Sequence, residues 1–419
     1  MRTPAPRLLL ATRVYRGLLV LAFVLGITLP LLDWGFAIDD TPELIENRAL
    51  APLPKWPTDL RQWKALPAGL ESYWNDAFGF RRQLIRWHAI SRWALGVSAS
   101  PNVIIGKRSF LFFAGDQALE QHRGLRPLTT LELTKWADQL EARRKWLESL
   151  GAHYLFVIAP DKQSIYPEDV PDRYGPLQHP PIEQFLSYMK LHTGVTVLDL
   201  RGPLQEARKR EVVYLRTDSH WNDAGAFAGY TSIVHALNAW YPQMVPRPRA
   251  RFGFEQTPPW NGDLSLMLGG IYDVTTETAQ AWLPDTPPAV RDVSDAPGFR
   301  PHFAYRYYAY QSADASRPRA LVLHDSFLMA ADERIVPGQV YPERAKRPPT
   351  PQFRISALLA EQFSRSVFAW QYPFESAWVE AEHPDLVIEE HVERQLVFAP
   401  EGMVPTPLTP RAPAASVVE

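Results

Sequence analysis

Between residues 153 and 396, short continuous apolar runs alternate with segments of helical periodicity. A strand that is apolar on both sides is typical of a parallel sheet covered by helices on both faces. The strand-like runs are HYLFVIAP (153–160), VTVLDL (195–200), the run inside RALVLHDSF (319–327), SVFAWQ (366–371) and the first half of PDLVIEEHVERQL (384–396). The sequence therefore predicts an α/β fold with a mostly parallel sheet and helices on both faces.

The N-terminal segment predicts a membrane anchor. Four arginines and no acid precede the uncharged run GLLVLAFVLGITLPLL (17–32). Basic residues before an apolar run keep the N-terminus in the cytoplasm, so the remainder of the chain is exported. The run reaches the length of about 20 residues needed for a span if Trp34 and Phe36 lie at the interface. A cleaved signal peptide is the alternative, but LLDWGFAIDD contains no convincing small-x-small cleavage site, and we favour an uncleaved anchor.

Composition excludes several function classes. The chain has no cysteine, which rules out disulfides, thiol catalysis and cysteine metal sites. The 44 basic residues nearly balance the 46 acidic ones, and no basic tract with interleaved aromatic residues occurs. Nucleic acid is therefore not an expected partner.

Four parts are expected along the chain. Residues 1–38 are a basic cytoplasmic segment and a transmembrane signal-anchor, and residues 39–127 are a linker, a helical segment and a hairpin that pack on the core. Residues 128–400 are expected to form the α/β domain, interrupted at about 241–316 by a proline- and aromatic-rich insertion. The tail, 401–419, is low in hydrophobic residues and is expected to be disordered.

One stretch, YLRTDSHWNDAGA (214–226), places Asp218 and His220 just before a predicted helix. In a turn, a carboxylate can reach the Nδ1 atom of a histidine two residues away, whereas such residues do not face each other inside a helix. Two interpretations remain open: Asp218 caps the helix, or the two residues belong to a catalytic triad. A metal site is a weaker third interpretation, because no further ligand has suitable spacing.

A nucleophile for such a triad occurs in LVLHDSF, where Ser326 follows a buried strand. Ligands of open parallel sheets bind at the carboxyl ends of the strands. A serine on such a turn is exposed and lies near backbone N–H groups that can hold an oxyanion. We therefore predict that Ser326 is the nucleophile, that His220 is its general base, and that Asp218 orients His220.

Several motifs together resemble one family. In chain order they are ENRALAPLP, YWNDAFGFR, VIIGKRSFLFF, APDKQSIYPE, LRTDSHWNDAGA, GDL, LVLHDSF and DLVIEEHVERQL. The chain resembles the AlgX/AlgJ-type alginate O-acetyltransferases, which have SGNH-hydrolase-like domains. In that family an Asp-x-His-Trp motif and a later Asp-Ser-Phe motif supply the triad, which implies Asp218, His220 and Ser326 here.

Other residues are weaker candidates for the site. The backbone of Gly262 and Asp263, in the GDL motif, could complete an oxyanion hole or form an ordinary turn. An aromatic strand at 302–311 could offer a sugar platform or belong to the core. The oxyanion and substrate candidates are Gly262, Asp263, Trp221, Asn222, His324, Asp325, Tyr305 and Tyr307.

The resemblance implies an exported O-acetyltransferase in the bacterial inner membrane. It would be a single-pass protein whose catalytic domain lies in the periplasm, and it would acetylate a polysaccharide through an acetyl-serine, without metal or cofactor. Acetyl-CoA is not expected outside the cytoplasm, so a membrane-bound O-acyltransferase is the expected donor, beside other exopolysaccharide export proteins. The alternatives are a carbohydrate acetylesterase with the same triad and a non-catalytic polysaccharide-binding scaffold.

Overall fold

The computed structural model describes residues 6–40, 49–271, 274–293, 307–328, 355–370 and 374–398. The predicted disordered tail, 401–419, lies outside these residues. Contacts divide the chain into two compact units: Met1–Ser100 together with Leu266–Tyr272, and Pro101–Ser265 together with Asp273–Glu419.

The first unit contains three long helices. They are α1 (Pro6–Phe36), α2 (Leu60–Ala77) and α3 (Arg81–Ala94). Within α1, Val14–Phe36 is long and apolar enough to cross a membrane. The helical pattern predicted over 59–95 forms two helices, because α2 ends at Ala77 before the extended Phe78, and Phe80, with a φ of 58°, is the N-cap of α3.

The elements from residue 101 onward follow in chain order. They are β1 (Val103–Ile105), β2 (Leu111–Phe113), α4 (Ala118–His122), α5 (Thr130–Ser149), β3 (His153–Ala159), α6 (Lys162–Ile165), α7 (Pro181–His192), β4 (Thr196–Asp199), α8 (Arg201–Ala207), α9 (Asp223–Leu237), β5 (Phe252–Gln256), α10 (Asp263–Leu266), β6 (Gln280–Pro284), β7 (Val290–Asp292), β8 (Tyr307–Ser312), β9 (Arg319–His324), α11 (Ile355–Ala360), β10 (Arg365–Trp370), α12 (Ser376–Glu382) and β11 (Leu386–Val392).

The main sheet has seven described strands in the order β4-β3-β11-β9-β10-β8-β7. The first five are parallel to their neighbours, and β8 and β7 are antiparallel. This sheet confirms the predicted mostly parallel α/β fold. The segment predicted as a loop-rich insertion, 241–316, nevertheless supplies both antiparallel strands, and it also contains the β5–β6 hairpin.

Each strand of the sheet centre is buried on both faces. Along β3, Leu155, Val157 and Ala159 face a core formed with α8, α9 and α11. The alternate residues, such as Phe156, face a second core formed with α5, α7 and α12. Two buried faces explain the continuous apolar runs, since neither side of the strand meets water.

The carboxyl ends of three central strands bring polar residues to one edge of the sheet. Asp161 and Lys162 follow β3, Ser326 follows β9, and Glu393 follows β11. Since β3, β11 and β9 are adjacent and parallel, these residues lie at the same edge. This edge is where an open parallel sheet binds its ligands.

Candidate active site

Asp218 and His220 form a hydrogen-bonded pair in a loop. Asp218 Oδ1 lies 2.6 Å from His220 Nδ1 and also accepts the His220 backbone N–H at 3.0 Å. The next helix, α9, begins at Asp223, and its N-cap is Asn222, whose side chain accepts from Gly225 N at 3.1 Å. The helix cap and the carboxylate–imidazole pair are therefore different residues.

Burial and neighbouring charge oppose each other at this pair. Burial raises the pKa of Asp218, but the His220 ring and backbone N–H donors outweigh it and lower that pKa to about 2. Burial lowers the pKa of His220, but the Asp218 carboxylate outweighs it and raises that pKa above its usual value. Within the described residues, His220 Nε2 has no hydrogen-bond partner. The imidazole is thus oriented through Nδ1 and retains Nε2 for proton transfer.

The Gly262–Asp263 turn fixes the loop that carries the pair. Asp263 N donates to Asp218 Oδ2 at 2.9 Å, and the two Asp263 carboxylate oxygens accept from Ser219 N at 2.7 Å and Ser219 Oγ at 2.5 Å. Gly262 N donates to Thr217 Oγ1 at 3.1 Å. A Cβ atom at Gly262 would collide with the Thr217 backbone, so this close approach requires glycine. Because both backbone N–H groups donate inside the loop here, the geometry favours the turn interpretation over the oxyanion interpretation.

Glu277 stabilises the same loop from the other side. Its carboxylate accepts from Arg216 N at 2.8 Å, from Thr217 N at 2.8 Å and from Thr217 Oγ1 at 2.5 Å. Sequence reasoning missed this residue, because Glu277 lies in the proline- and aromatic-rich segment and no motif marks it. The loop before His220 therefore has carboxylates on both sides, Glu277 and Asp263.

Lys162 places a buried cation beneath the loop. Its Nζ atom donates to Leu111 O at 2.7 Å and to Arg216 O at 3.3 Å. Burial lowers the pKa of Lys162 to about 8, although the carboxylates of Asp218, Glu277 and Asp263 oppose this change. The position had a sequence signal, since Asp161-Lys162 directly follows the first core strand.

The loop after β9 lies next to the imidazole. The ring of Phe327 has its centroid 5.0 Å from that of His220 and 5.1 Å from that of Trp221. Trp221 Nε1 donates to Phe327 O at 3.1 Å, which ties the two loops together. Ser326, between Asp325 and Phe327, is partly exposed. The described residues show no hydrogen bond from His220 Nε2 to Ser326, so the nucleophile's contact with its base stays a prediction.

Asp325 shapes this turn from inside. Its carboxylate accepts from Phe327 N at 2.9 Å and from Val392 N at 2.8 Å. Asp325 N donates to Glu390 Oε2 at 3.0 Å. The Asp325 side chain is therefore committed to holding the loop on β11.

The remaining candidates fall into two places. His324 is buried against Tyr308 and Phe368, and burial lowers its pKa. Tyr307 packs on Trp378 on the other face of the sheet, with a ring separation of 6.2 Å. Tyr305 lies outside the described residues. The structure therefore brings Asp218, His220, Trp221, Asp263 and the Ser326 loop together, but not Tyr307.

Behind the loop lies a group of buried charges. Arg394 Nη1 lies 2.5 Å from Asp161 Oδ1. Burial raises the pKa of Glu393 to about 7, reinforced by Asp161, and burial also raises the pKa of Glu390, reinforced by Asp325. Arg394 thus pairs with Asp161, and burial makes ionisation of the nearby Glu390 and Glu393 less favourable.

One atom each of Asp218, His220 and Asp263 lie within 4.8 Å of one another, a spacing that a metal ion could use. Hydrogen bonds already occupy His220 Nδ1 and all four carboxylate oxygens of the two aspartates. These bonds fit a loop that orients an imidazole better than they fit a set of metal ligands.

Comparison with known proteins identifies the domain type. Residues 103–297 match the family described as ALGX: SGNH hydrolase-like domain, acetyltransferase AlgX. The matched range contains Asp218, His220 and Asp263 and ends before Ser326. It confirms the resemblance to the AlgX/AlgJ-type family and the SGNH-like fold.

Curated proteins that are similar to this chain are named as probable alginate O-acetylases. A probable alginate O-acetylase AlgJ of Pseudomonas syringae pv. tomato is 25% identical over 198 residues, which is 47% of this chain and 49% of that protein. The protein of the same name from Pseudomonas aeruginosa is 27% identical over 161 residues, 38% of this chain and 39% of that protein. The chain thus spans about half the length of the first relative and less of the second. A solved O-acetyltransferase domain of Pseudomonas putida AlgJ aligns over 72% of this chain and 94% of that chain, with 20% identity and a TM-score of 0.44.

Proposed function

We propose that this chain, whose residues 103–297 match the SGNH hydrolase-like domain of acetyltransferase AlgX, is an O-acetyltransferase that acts on an exported polysaccharide. Ser326 is the nucleophile, His220 is the general base and Asp218 orients the imidazole. The observation that supports this role most directly is the 2.6 Å contact between Asp218 Oδ1 and His220 Nδ1, with Nε2 left without a partner beside the Ser326 loop.

The reaction has two half-steps. In the first, His220 Nε2 takes the Ser326 Oγ proton as Oγ attacks the acetyl carbonyl of the donor, and the imidazolium then gives that proton to the leaving oxygen. In the second, His220 takes the proton of a sugar hydroxyl as its oxygen attacks the acetyl-serine. The proton returns to Ser326 Oγ as the bond to the acetyl carbon breaks. The Asp218 carboxylate stabilises the imidazolium in both half-steps.

The polysaccharide acceptor is proposed from the relatives, which are named as probable alginate O-acetylases. Because acetyl-CoA is not expected outside the cytoplasm, we also propose an activated acetyl donor delivered at the membrane by a membrane-bound O-acyltransferase, in company with other export proteins. The apolar helix Val14–Phe36 supports a single-pass anchor with the catalytic domain in the periplasm.

Replacement of the nucleophile tests the proposal. In Ser326→Ala, turnover of an acetyl ester should fall about a thousandfold or more, because triad members act as a unit. The matched control is Ser232→Ala on α9, whose hydroxyl only donates to Ala228 O at 2.8 Å; this variant should keep wild-type turnover. Near-native turnover in Ser326→Ala would refute the mechanism.

Product analysis separates transfer from hydrolysis. Wild-type protein given an acetyl ester and an oligosaccharide acceptor should form acetylated oligosaccharide in preference to free acetate. Formation of acetate alone, with Ser326 still required, would identify an esterase with the same triad.

A further inference from the structure

We propose that α2 and α3, two consecutive helices joined at Phe80 (the α2–α3 hairpin), lie in the headgroup layer of the membrane on the exported side and bind anionic phospholipid. The inference rests on the proposed role of α1 as an anchor, and it assigns a lipid-binding surface to a part of the chain remote from the catalytic residues in sequence.

The junction of α2 and α3 is fixed to the last turns of α1. Asp33 Oδ2 accepts the backbone N–H of Phe80, the residue between the two helices, at 2.8 Å. Gly79 lies so close to Pro30 that a Cβ atom there would collide with the Pro30 carbonyl, so this contact requires glycine. The rings of Trp34 and Trp74 are 6.3 Å apart. The junction of α2 and α3 thus has a defined height along the anchor.

That height coincides with the membrane surface. The 23 residues of Val14–Phe36 rise about 35 Å at 1.5 Å per residue, slightly more than the hydrocarbon core of about 30 Å. Pro30 and Asp33 lie less than about 10 Å from the end of this span on the same scale. A hairpin attached there lies where hydrocarbon gives way to headgroups, the depth at which tryptophan is enriched.

The α2 helix exposes an apolar stripe. Leu60, Trp63, Leu70 and Trp74 are separated by three, seven and four residues, which places them along one side of a helix. Their exposed fractions are 74%, 48%, 45% and 41%, and no residue of α2 is buried among the described residues. Ser72 lies on the opposite side and is exposed, and its hydroxyl donates to Ala68 O at 2.9 Å. This is the pattern of a helix that lies in an interface.

Further large apolar side chains are exposed on and just after α3 and on the connector that precedes α2. Trp87 is 56% exposed, Leu84 45% and Leu95 78%, and Trp56 in the connector is 76% exposed. Tryptophan combines an apolar ring with an N–H donor and therefore suits the boundary between hydrocarbon and water.

Charge favours an anionic surface as the partner. The hairpin, Leu60–Ala94, carries six basic and two acidic residues, and α3 carries four arginines and no acid. The chain as a whole has a net charge of -2, so the basic excess is local. Arg81 and Arg82 pair with Asp76 and Asp39, whereas Arg86 and Arg92 donate to the uncharged backbone carbonyls of Gly270 and Ser98. The helices therefore keep a positive excess, and basic residues beside an apolar stripe are typical of helices that bind membranes containing acidic lipids.

A cysteine-free chain allows a direct test on the full-length protein. Single variants Leu70→Cys, on the stripe, and Ser72→Cys, on the opposite side, carry an environment-sensitive fluorophore in nanodiscs of phosphatidylethanolamine and phosphatidylglycerol. A third variant, Ile27→Cys in the middle of α1, reports on the anchor. We expect lipid-borne nitroxide to quench the labels at 27 and 70 at least twofold more than the label at 72, and aqueous iodide to show the reverse order.

The outcomes separate the hairpin from the anchor. Lipid quenching at 27 but equal quenching at 70 and 72 would overturn the inference while leaving the anchor in place. Water exposure at 27 would remove the anchor and the inference with it. A label at 70 that is protected from iodide but not quenched by lipid would show that protein covers the stripe, which also overturns the inference. Replacing phosphatidylglycerol by phosphatidylcholine should reduce quenching at 70, and no reduction would refute the preference for anionic lipid.

Discussion

Within the described residues, hydrogen bonds join two carboxylate–x–histidine pairs, Asp218–His220 and Glu389–His391, and these pairs differ in almost everything beyond the hydrogen bond itself. In the loop, Asp218 Oδ1 lies 2.6 Å from His220 Nδ1. On β11, Glu389 Oε1 lies 2.9 Å from His391 Nε2, because alternate residues of a strand share a face. A carboxylate bound to an imidazole is thus insufficient to define an active site.

The neighbours make the difference. Glu389 also binds Arg143 at 2.6 Å and the hydroxyl of Tyr154 at 2.5 Å. Burial raises the pKa of Glu389, but Arg143 and the other partners outweigh it and lower that pKa to about 2. The ring of His391 packs 5.6 Å from Trp136. This pair is enclosed in the core, whereas His220 borders the loop that carries Ser326.

The largest expected contrast is between the two histidines. His220→Ala should reduce acetyl-ester turnover about a thousandfold or more, to the level of Ser326→Ala, and the double variant should be little worse. His391→Ala should reduce the amount of folded protein but leave turnover per folded molecule near wild type. The comparison uses initial rates corrected for the folded fraction from circular dichroism. Equal losses per folded molecule would remove the functional distinction between the pairs.

Replacement of Asp218 should mainly reduce turnover, whereas replacement of Glu389 should mainly reduce stability. Asp218→Asn should reduce turnover about a hundredfold or more, since the imidazolium loses its counter-charge, with little loss of stability. Glu389→Gln should lower the free energy of unfolding by about 3 kcal/mol, because Arg143, which is 1% exposed, loses its charged partner. Denaturant titration and initial rates on both variants check the contrast. A catalytic loss in Glu389→Gln without unfolding would contradict it.

The smallest expected effect concerns Lys162 and the pH dependence. Because Asp218 raises the pKa of His220 despite burial, turnover should rise with pH through a midpoint above about 6.5 as the base loses its proton. Lys162→Met removes a buried cation near Asp218 and should move this midpoint to still higher pH, with a loss of turnover of about tenfold at neutral pH. Exposed Lys190→Met is the control. If the midpoint is unchanged in Lys162→Met, the role of Lys162 is only structural, as the donor to the Leu111 and Arg216 carbonyl oxygens.

The features that depend on local sequence pattern could be predicted from the sequence, and the features that depend on contacts between distant residues could not. The strands were predictable, because burial on both faces leaves continuous apolar runs. Asp218 and His220 were identifiable, because their spacing suits a turn. Glu277 was not, because it reaches Thr217 across 60 residues from a segment without periodicity. The aromatic strand predicted at 302–311 overlaps β8, but the sequence did not indicate that β7 and β8 extend the main sheet, because strand pairing is a long-range contact.

The two pairs also show why motif spacing alone was ambiguous. Glu389 and His391 have the same spacing as Asp218 and His220, yet strand geometry and Arg143 give them a structural role. The cap of α9 belongs to Asn222, so the capping interpretation concerned a real feature but assigned it to the wrong residue.

The central claim is that Ser326 is the nucleophile served by His220, and covalent trapping tests it most directly. The structure offers a competing serine, since Ser219 Oγ lies 3.4 Å from His220 Nδ1. The account predicts that a serine-directed sulfonyl fluoride labels one peptide of the wild-type protein, the one containing Ser326. Labelling should be absent in Ser326→Ala and strongly slowed in His220→Ala. An adduct on Ser219, or an adduct formed at the wild-type rate in Ser326→Ala, would contradict the account.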